Sequence, residues 1–255
     1  MKIIYWLEEY PATCQKSVFL AGPTARQGET PSWRPAAVEA LRNLGYDGQI
    51  FIPEPRPGQS WPTYDQHDAV VDWEVNGLNR ADCIFFWVPR DEKVLPGFTT
   101  NIEFGDFFKS GRVVLGAPET AVRMHYMKYR GLKESGIIMQ SSLINTAEQA
   151  IRLIGVGALR EGTEVLVPAN IWMNKTFQYW YEEVRPVGYK LRYAIPLMAQ
   201  YDERHILRSF AIKIGIGEID GQLNRDLFLF GSPEGFYLNS SGGSVQNRGG
   251  KFTIF

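Results

Sequence analysis

Pro96-Gly97-Phe98-Thr99-Thr100-Asn101-Ile102-Glu103-Phe104-Gly105-Asp106-Phe107 lies between two apolar runs, Cys83-Ile84-Phe85-Phe86-Trp87-Val88 and Arg112-Val113-Val114-Leu115-Gly116. Each run reads as a buried strand, and two such strands in sequence need a crossover, which the stretch between them supplies as a helix. Thr99 or Thr100 can cap that helix. Glu103 then falls in its first turn at the carboxyl edge of the sheet, where open α/β sheets bind ligands. A carboxylate there is either a helix-dipole partner or a catalytic group.

Outward from this stretch the pattern repeats. Strands are predicted over 17–22, 50–52, 83–88, 112–116 and 136–139, and helices over 33–44, 64–80, 119–130 and 146–154. In the second helix Val70, Val71, Val75 and Leu78 are the expected buried positions. Strands alternating with helices give a parallel sheet covered on both faces, and five strands fit a flavodoxin-like order. After Gly155 and Gly157 the pattern changes to short strands over 165–168, 191–198, 210–216 and 227–230, with one aromatic helix over 175–184. The expected division is an α/β domain over 1–157 and a smaller β-rich domain over 158–255, in which 240–244 (Ser-Ser-Gly-Gly-Ser) reads as a flexible linker or tail.

Bulk properties exclude several function classes. With 27 Lys+Arg against 28 Asp+Glu in 255 residues, the net charge of -1 predicts no affinity for nucleic acid or an anionic membrane. Cys14 and Cys83 are the only cysteines, which argues for reduced thiols and a cytosolic setting. The first nine residues carry Lys2, Glu8 and Glu9, a pattern unlike a signal peptide, and no apolar run is long enough to span a bilayer. His67, His125 and His205 lack metal-ligand spacing, so neither a metal nor another cofactor is expected. Walker, Rossmann and Gly-x-Ser-x-Gly patterns are absent from the sequence.

Four segments in this order, Phe19-Leu20-Ala21-Gly22-Pro23, Asp72-Trp73-Glu74, Ala81-Asp82-Cys83-Ile84 and Thr100-Asn101-Ile102-Glu103-Phe104-Gly105, resemble the nucleoside 2-deoxyribosyltransferase-like proteins. The resemblance covers roughly 15–155. It implies a flavodoxin-like fold that cleaves or exchanges the N-glycosidic bond of a nucleoside or nucleotide. The family's nucleophilic glutamate matches Glu103 in Glu103-Phe104-Gly105. Its second acid matches Glu74, with Asp72 the near alternative. A third family aspartate falls on Gly97 by strict spacing; Asp91 replaces it only if the loop is rearranged. That departure tilts the reading from transfer toward hydrolysis.

The chemistry is consistent with two acids. Breaking a bond at C1′ needs one carboxylate to capture or stabilise the sugar and an acid to protonate the leaving base. The helix start is expected to keep Glu103 ionised. For the remainder of the substrate, Gly22, Thr24, Arg26 and Ser32 offer a loop for phosphate or sugar. Asn101 offers a hydrogen bond, and Phe98 is among the candidate stacking platforms. Two further readings compete: a glycohydrolase of NAD or a nucleotide signal, and a non-catalytic nucleotide sensor whose C-terminal domain binds a partner. The C-terminal unit vaguely resembles modules that precede Nudix domains, without a Nudix box. The expected partners are a small nucleoside or nucleotide and further copies of the chain in a homo-oligomer.

Overall fold

The computed structural model describes residues 1–24, 30–160, 167–185, 187–201, 207–218, 224–232, 235–240, 243–248 and 251–254. A five-stranded, all-parallel sheet has the order β1 (Lys2–Tyr5), β3 (Gln49–Ile52), β2 (Ser17–Ala21), β4 (Cys83–Trp87), β5 (Val113–Gly116). Period-two alternation divides the strand side chains between two cores. Val18, Leu20, Phe85 and Val114 pack with α1 (Arg34–Asn43) and α5 (Leu143–Ile154) on one face. Phe19, Ala21, Ile84, Phe86 and Leu115 pack on the other with α2 (His67–Arg80), α3 (Phe98–Phe107) and α4 (His125–Ser135). The chain runs from β2 to one neighbour, β3, and then crosses to the other, β4. The topological switch point therefore lies at the carboxyl ends of β2 and β4.

Several expectations are corrected here. The strand expected over 136–139 does not form; a single parallel bridge, Gly116 to Gln140, lies just after it. Gly136 instead closes α4 in the left-handed conformation at φ 66°, and Ser142 already caps α5, which leaves too little chain for a strand. The fifth strand is β1, paired in parallel with β3 from Lys2↔Gln49 to Tyr5↔Ile52. The helix expected over 119–130 is α4, which starts six residues later. In α2 the buried residues are Trp73, Gly77 and Leu78, whereas Val71 and Val75 are exposed. The cause is the segment after β1: Tyr10 stacks on Trp73 with ring centroids 5.0 Å apart, and Trp73 Nε1 donates to the Glu8 carbonyl at 2.8 Å. This covers the Trp73 side of the helix and leaves Val71 and Val75 exposed, while Val70 packs at the edge of the core.

The second unit is a six-stranded antiparallel meander in sequence order, from β6 (Tyr189–Tyr201) through β7 (Leu207–Glu218), β8 (Asn224–Ser232), β9 (Gly235–Ser240) and β10 (Gly243–Arg248) to β11 (Lys251–Ile254). The segment with linker-like composition therefore joins two paired strands, with 241–242 outside the described residues. The helix expected over 175–184 is α7 (Lys175–Tyr179), continued by a π turn at Trp180–Val184; α6 (Ala169–Trp172) precedes it. Phe177 and Trp180 from these helices pack with Ile171 on Leu191, Ile212, Ile214 and Leu229 of the sheet. Of the strand expected over 165–168, residues 165–166 lie outside the described residues.

Asp82 joins the two units. It accepts hydrogen bonds from the Ser17 N–H (2.8 Å) in the first unit, from Arg160 Nη2 (2.9 Å) just past Gly157, and from the Ala169 N–H of α6 (2.7 Å).

Candidate active site

A cavity of about 590 Å³ opens at the switch point. Phe19, Ala21 and Gly22 from β2 and its exit form one wall, Pro96, Gly97 and the start of α3 a second, and α2 a third. Trp6 and Trp61 add an aromatic edge-to-face pair, with centroids 5.5 Å apart and planes at 75°.

Glu103 and Glu74 line this same cavity, each partly buried. The helix that carries Glu103 starts differently from the expectation. Gly97, in the left-handed conformation at φ 65° and ψ 42°, precedes Phe98 as the N-cap; Thr99 and Thr100 are the second and third helical residues. Glu103 therefore sits in the second turn, beyond the strong part of the helix dipole. Its electrostatics follow burial instead. Burial, then the neighbouring Glu74 charge, raise its pKa from 4.5 to about 7, against the opposing pull of Arg34. Burial likewise raises Glu74 to about 7, again opposed by Arg34. The expectation that the helix start holds Glu103 ionised is thus corrected: the two acids titrate near neutrality.

The other sequence candidates divide. Gly22, Thr24 and Phe98 line the cavity. Asp72 is exposed on α2 and does not line it, because it projects two residues away from Glu74 on a helix whose buried side is set by Trp73. Ser32 is engaged in a structural network: its hydroxyl lies 2.9 and 2.8 Å from the two oxygens of Glu54 and accepts from the Arg34 N–H at 3.1 Å. Asp91 closes its own turn by accepting from the N–H groups of Lys93 (2.8 Å) and Val94 (3.2 Å), which hold its carboxyl below the usual range. It is not among the residues that line the cavity. Asn101 is exposed, and its side-chain oxygen accepts from Arg90. Arg26 lies outside the described residues.

The sequence reading missed Trp6, Trp61 and Arg34, which line the cavity together with the exposed His67. Arg34 opens α1 just before Pro35 and is only 1% exposed. A cation at a proline-marked helix start, where positive charge is disfavoured, is the signal that could have flagged it. Among the described residues no group of three or more His, Cys, Asp or Glu side chains could hold a metal ion, and no helix is long and apolar enough to cross a membrane.

Two acids that line one switch-point cavity coincide with a family pattern. Residues 15–121 match the model of the nucleoside 2-deoxyribosyltransferase-like family. The matched nucleoside 2-deoxyribosyltransferase-like segment runs from just before β2 to just past β5. It includes Glu74, Glu103 and Arg34, while Trp6 lies outside it. No curated protein matches the chain. Among solved structures, the biliverdin reductase of Synechocystis sp. PCC 6803, in complex with biliverdin and NADP+, aligns at 13% identity over 94% of this chain and 84% of its own, with a TM-score of 0.28. A likeness that low carries no argument about this protein.

Proposed function

We propose that this protein cleaves or exchanges the N-glycosidic bond of a nucleoside or nucleotide, with Glu103 as nucleophile and Glu74 as the acid that protonates the leaving base. The observation that carries this reading is the meeting of Glu103 and Glu74 in one aromatic-walled cavity within the matched segment. Two carboxyls that both titrate near 7 in a shared cleft hold about one proton between them at neutral pH. That leaves one ionised to attack C1′ and one protonated to assist departure, the division of labour the reaction requires. Trp6 and Trp61 offer ring faces and edges to a heterocycle.

Gly97 at the position of the family's third acid, and Asp91 committed to its turn, favour water over a second base as the acceptor. The test is base release from a panel of nucleosides and nucleotides, NAD included, followed by chromatography. Glu103→Gln is expected to remove activity that the parent shows on at least one substrate. Undiminished release by that variant would sink the assignment. Supplying a second free base separates exchange from hydrolysis.

A further inference from the structure

The ladder between β2 and β3 stops at Phe19↔Phe51, one residue before Leu20, so the two strands splay where the cavity begins. One side chain fills the gap. Arg34 donates from Nε to the Leu20 carbonyl at 3.1 Å and from Nη2 to the Gly22 carbonyl at 2.9 Å. Its Nη1 lies 2.6 Å from Glu54 Oε1, and the two side chains are 1% and 11% exposed. Glu54 is held in turn by Ser32, and its carbonyl accepts from the Trp6 N–H at 3.3 Å. The guanidinium also lies 4.8 Å from the Trp33 ring centroid, and Trp33 Nε1 donates to the Pro23 carbonyl at 3.0 Å. Gly22, Pro23 and Trp6 all line the cavity, as does Arg34 itself.

We propose that Arg34 is the positioning residue of this site: locked by Leu20, Gly22 and Glu54, it fixes the β2 rim and supplies a stationary positive charge to the Glu74–Glu103 pair. This rests on the proposed glycosidic chemistry only for its consequence on rate. The charges around Glu103 are Glu74 from α2, Arg34 from α1 and Asp106 from its own helix, with His67 on the same cavity wall and Glu54 beside Arg34. Of these, Arg34 is the group that lowers the pKa of both carboxyls. A planar fork does this while making three directional bonds, which a lysine cannot reproduce. Burial of the Arg34–Glu54 pair means that removing one partner leaves an uncompensated charge, so the two are best removed together.

The experiment compares the parent with Arg34→Met/Glu54→Gln, Arg34→Lys and Glu54→Gln. Carboxyl titrations are followed by carbon-13 NMR of labelled glutamate, with Glu103→Gln and Glu74→Gln assigning the signals. In the double variant both midpoints are expected to rise by about one pH unit, and the acid limb of base release to move with them, about tenfold slower at pH 6 and recovering at higher pH. Arg34→Lys, which keeps the charge, is expected to hold the midpoints near the parent values while KM rises as the Gly22 carbonyl loses its partner. Should the double variant not fold, Glu54→Gln alone reports, with midpoints displaced downward as the cation loses its counter-charge. Midpoints unmoved in the folded variants overturn the assignment. Midpoints that move in a protein releasing no base from any substrate overturn the glycosidic reading and leave the role of Arg34 standing.

Discussion

The carboxylate of Asp82 lies 2.9 Å from the guanidinium of Arg160, and the two side chains are 3% and 0% exposed. The same carboxylate accepts from the N–H of Ala169, at the start of α6. An acid that opens a central strand thereby organises the start of β2 and holds the helical cap of the second unit. Removing one member of a buried pair leaves the other charge unpaired, which costs about 3–5 kcal/mol. Asp82→Ala is expected to lose roughly that much in urea unfolding. Asp82→Asn/Arg160→Met should cost clearly less, because neither charge is then left behind. Equal losses in the two variants would show that the pair is not the source of the effect.

Gly22 leaves β2 at φ 148°, and a Cβ placed there would sit 2.1 Å from the Trp87 carbonyl oxygen and 2.9 Å from the Trp33 ring. Neither the strand carbonyl nor the packed indole can retreat. Gly22→Ala is therefore expected to destabilise the protein by about 2 kcal/mol or more and to displace the cavity wall. Thermal unfolding measures the first effect. Weakened binding of a nucleoside that the parent binds measures the second.

Stability should depend on pH through the two cavity acids. Their pKa values rise from 4.5 to about 7 on folding, so the folded state binds more protons than the unfolded state between those values. The associated stabilisation is complete below about pH 4.5 and is lost as pH rises through about 7. The Tm is expected to fall across this window from these groups, and Glu103→Gln, which stays neutral, should flatten the fall and raise Tm at pH 8 by about 2–8 °C. A parallel Tm curve for parent and variant would exclude a strongly shifted Glu103.

Activity should separate the acids. Glu74→Gln removes a proton donor and is expected to slow base release by about 10²–10⁴-fold, most for substrates with poor leaving bases. Asp72→Asn, an exposed change outside the cavity, should stay within about twofold of the parent. The reverse ranking would transfer the acid role to Asp72. The parent pH–rate profile should be bell-shaped around neutrality, since one carboxyl must be ionised and the other protonated.

The α/β frame was legible because its signals are local. Continuous apolar runs such as that at Cys83–Trp87 read as strands buried on both faces, and the intervening segments carry helical spacing. What misled the reading was also local. Gly136 and the short apolar segment after it satisfy a strand pattern, yet the glycine is spent on the end of α4. The valines of α2 form a plausible buried stripe, yet Tyr10, distant in sequence, decides which side of the helix is covered.

The sequence by itself determined the strand–helix alternation and the β-rich character of the C-terminal unit, both from local periodicity. Glu103 and an acid at or beside Glu74 were singled out by the resemblance to the nucleoside 2-deoxyribosyltransferase-like proteins. Tertiary structure alone decided that Glu74 rather than Asp72 enters the cavity and that Asp91 and Asn101 do not line it. It also decided that burial raises the pKa of both acids to about 7, and that Arg34 lines the same cavity. The physical reason is that burial and the charges of neighbouring elements set a carboxyl's proton affinity. Those neighbours, α1, α2 and α3, are brought together only when β2, β3 and β4 form one sheet.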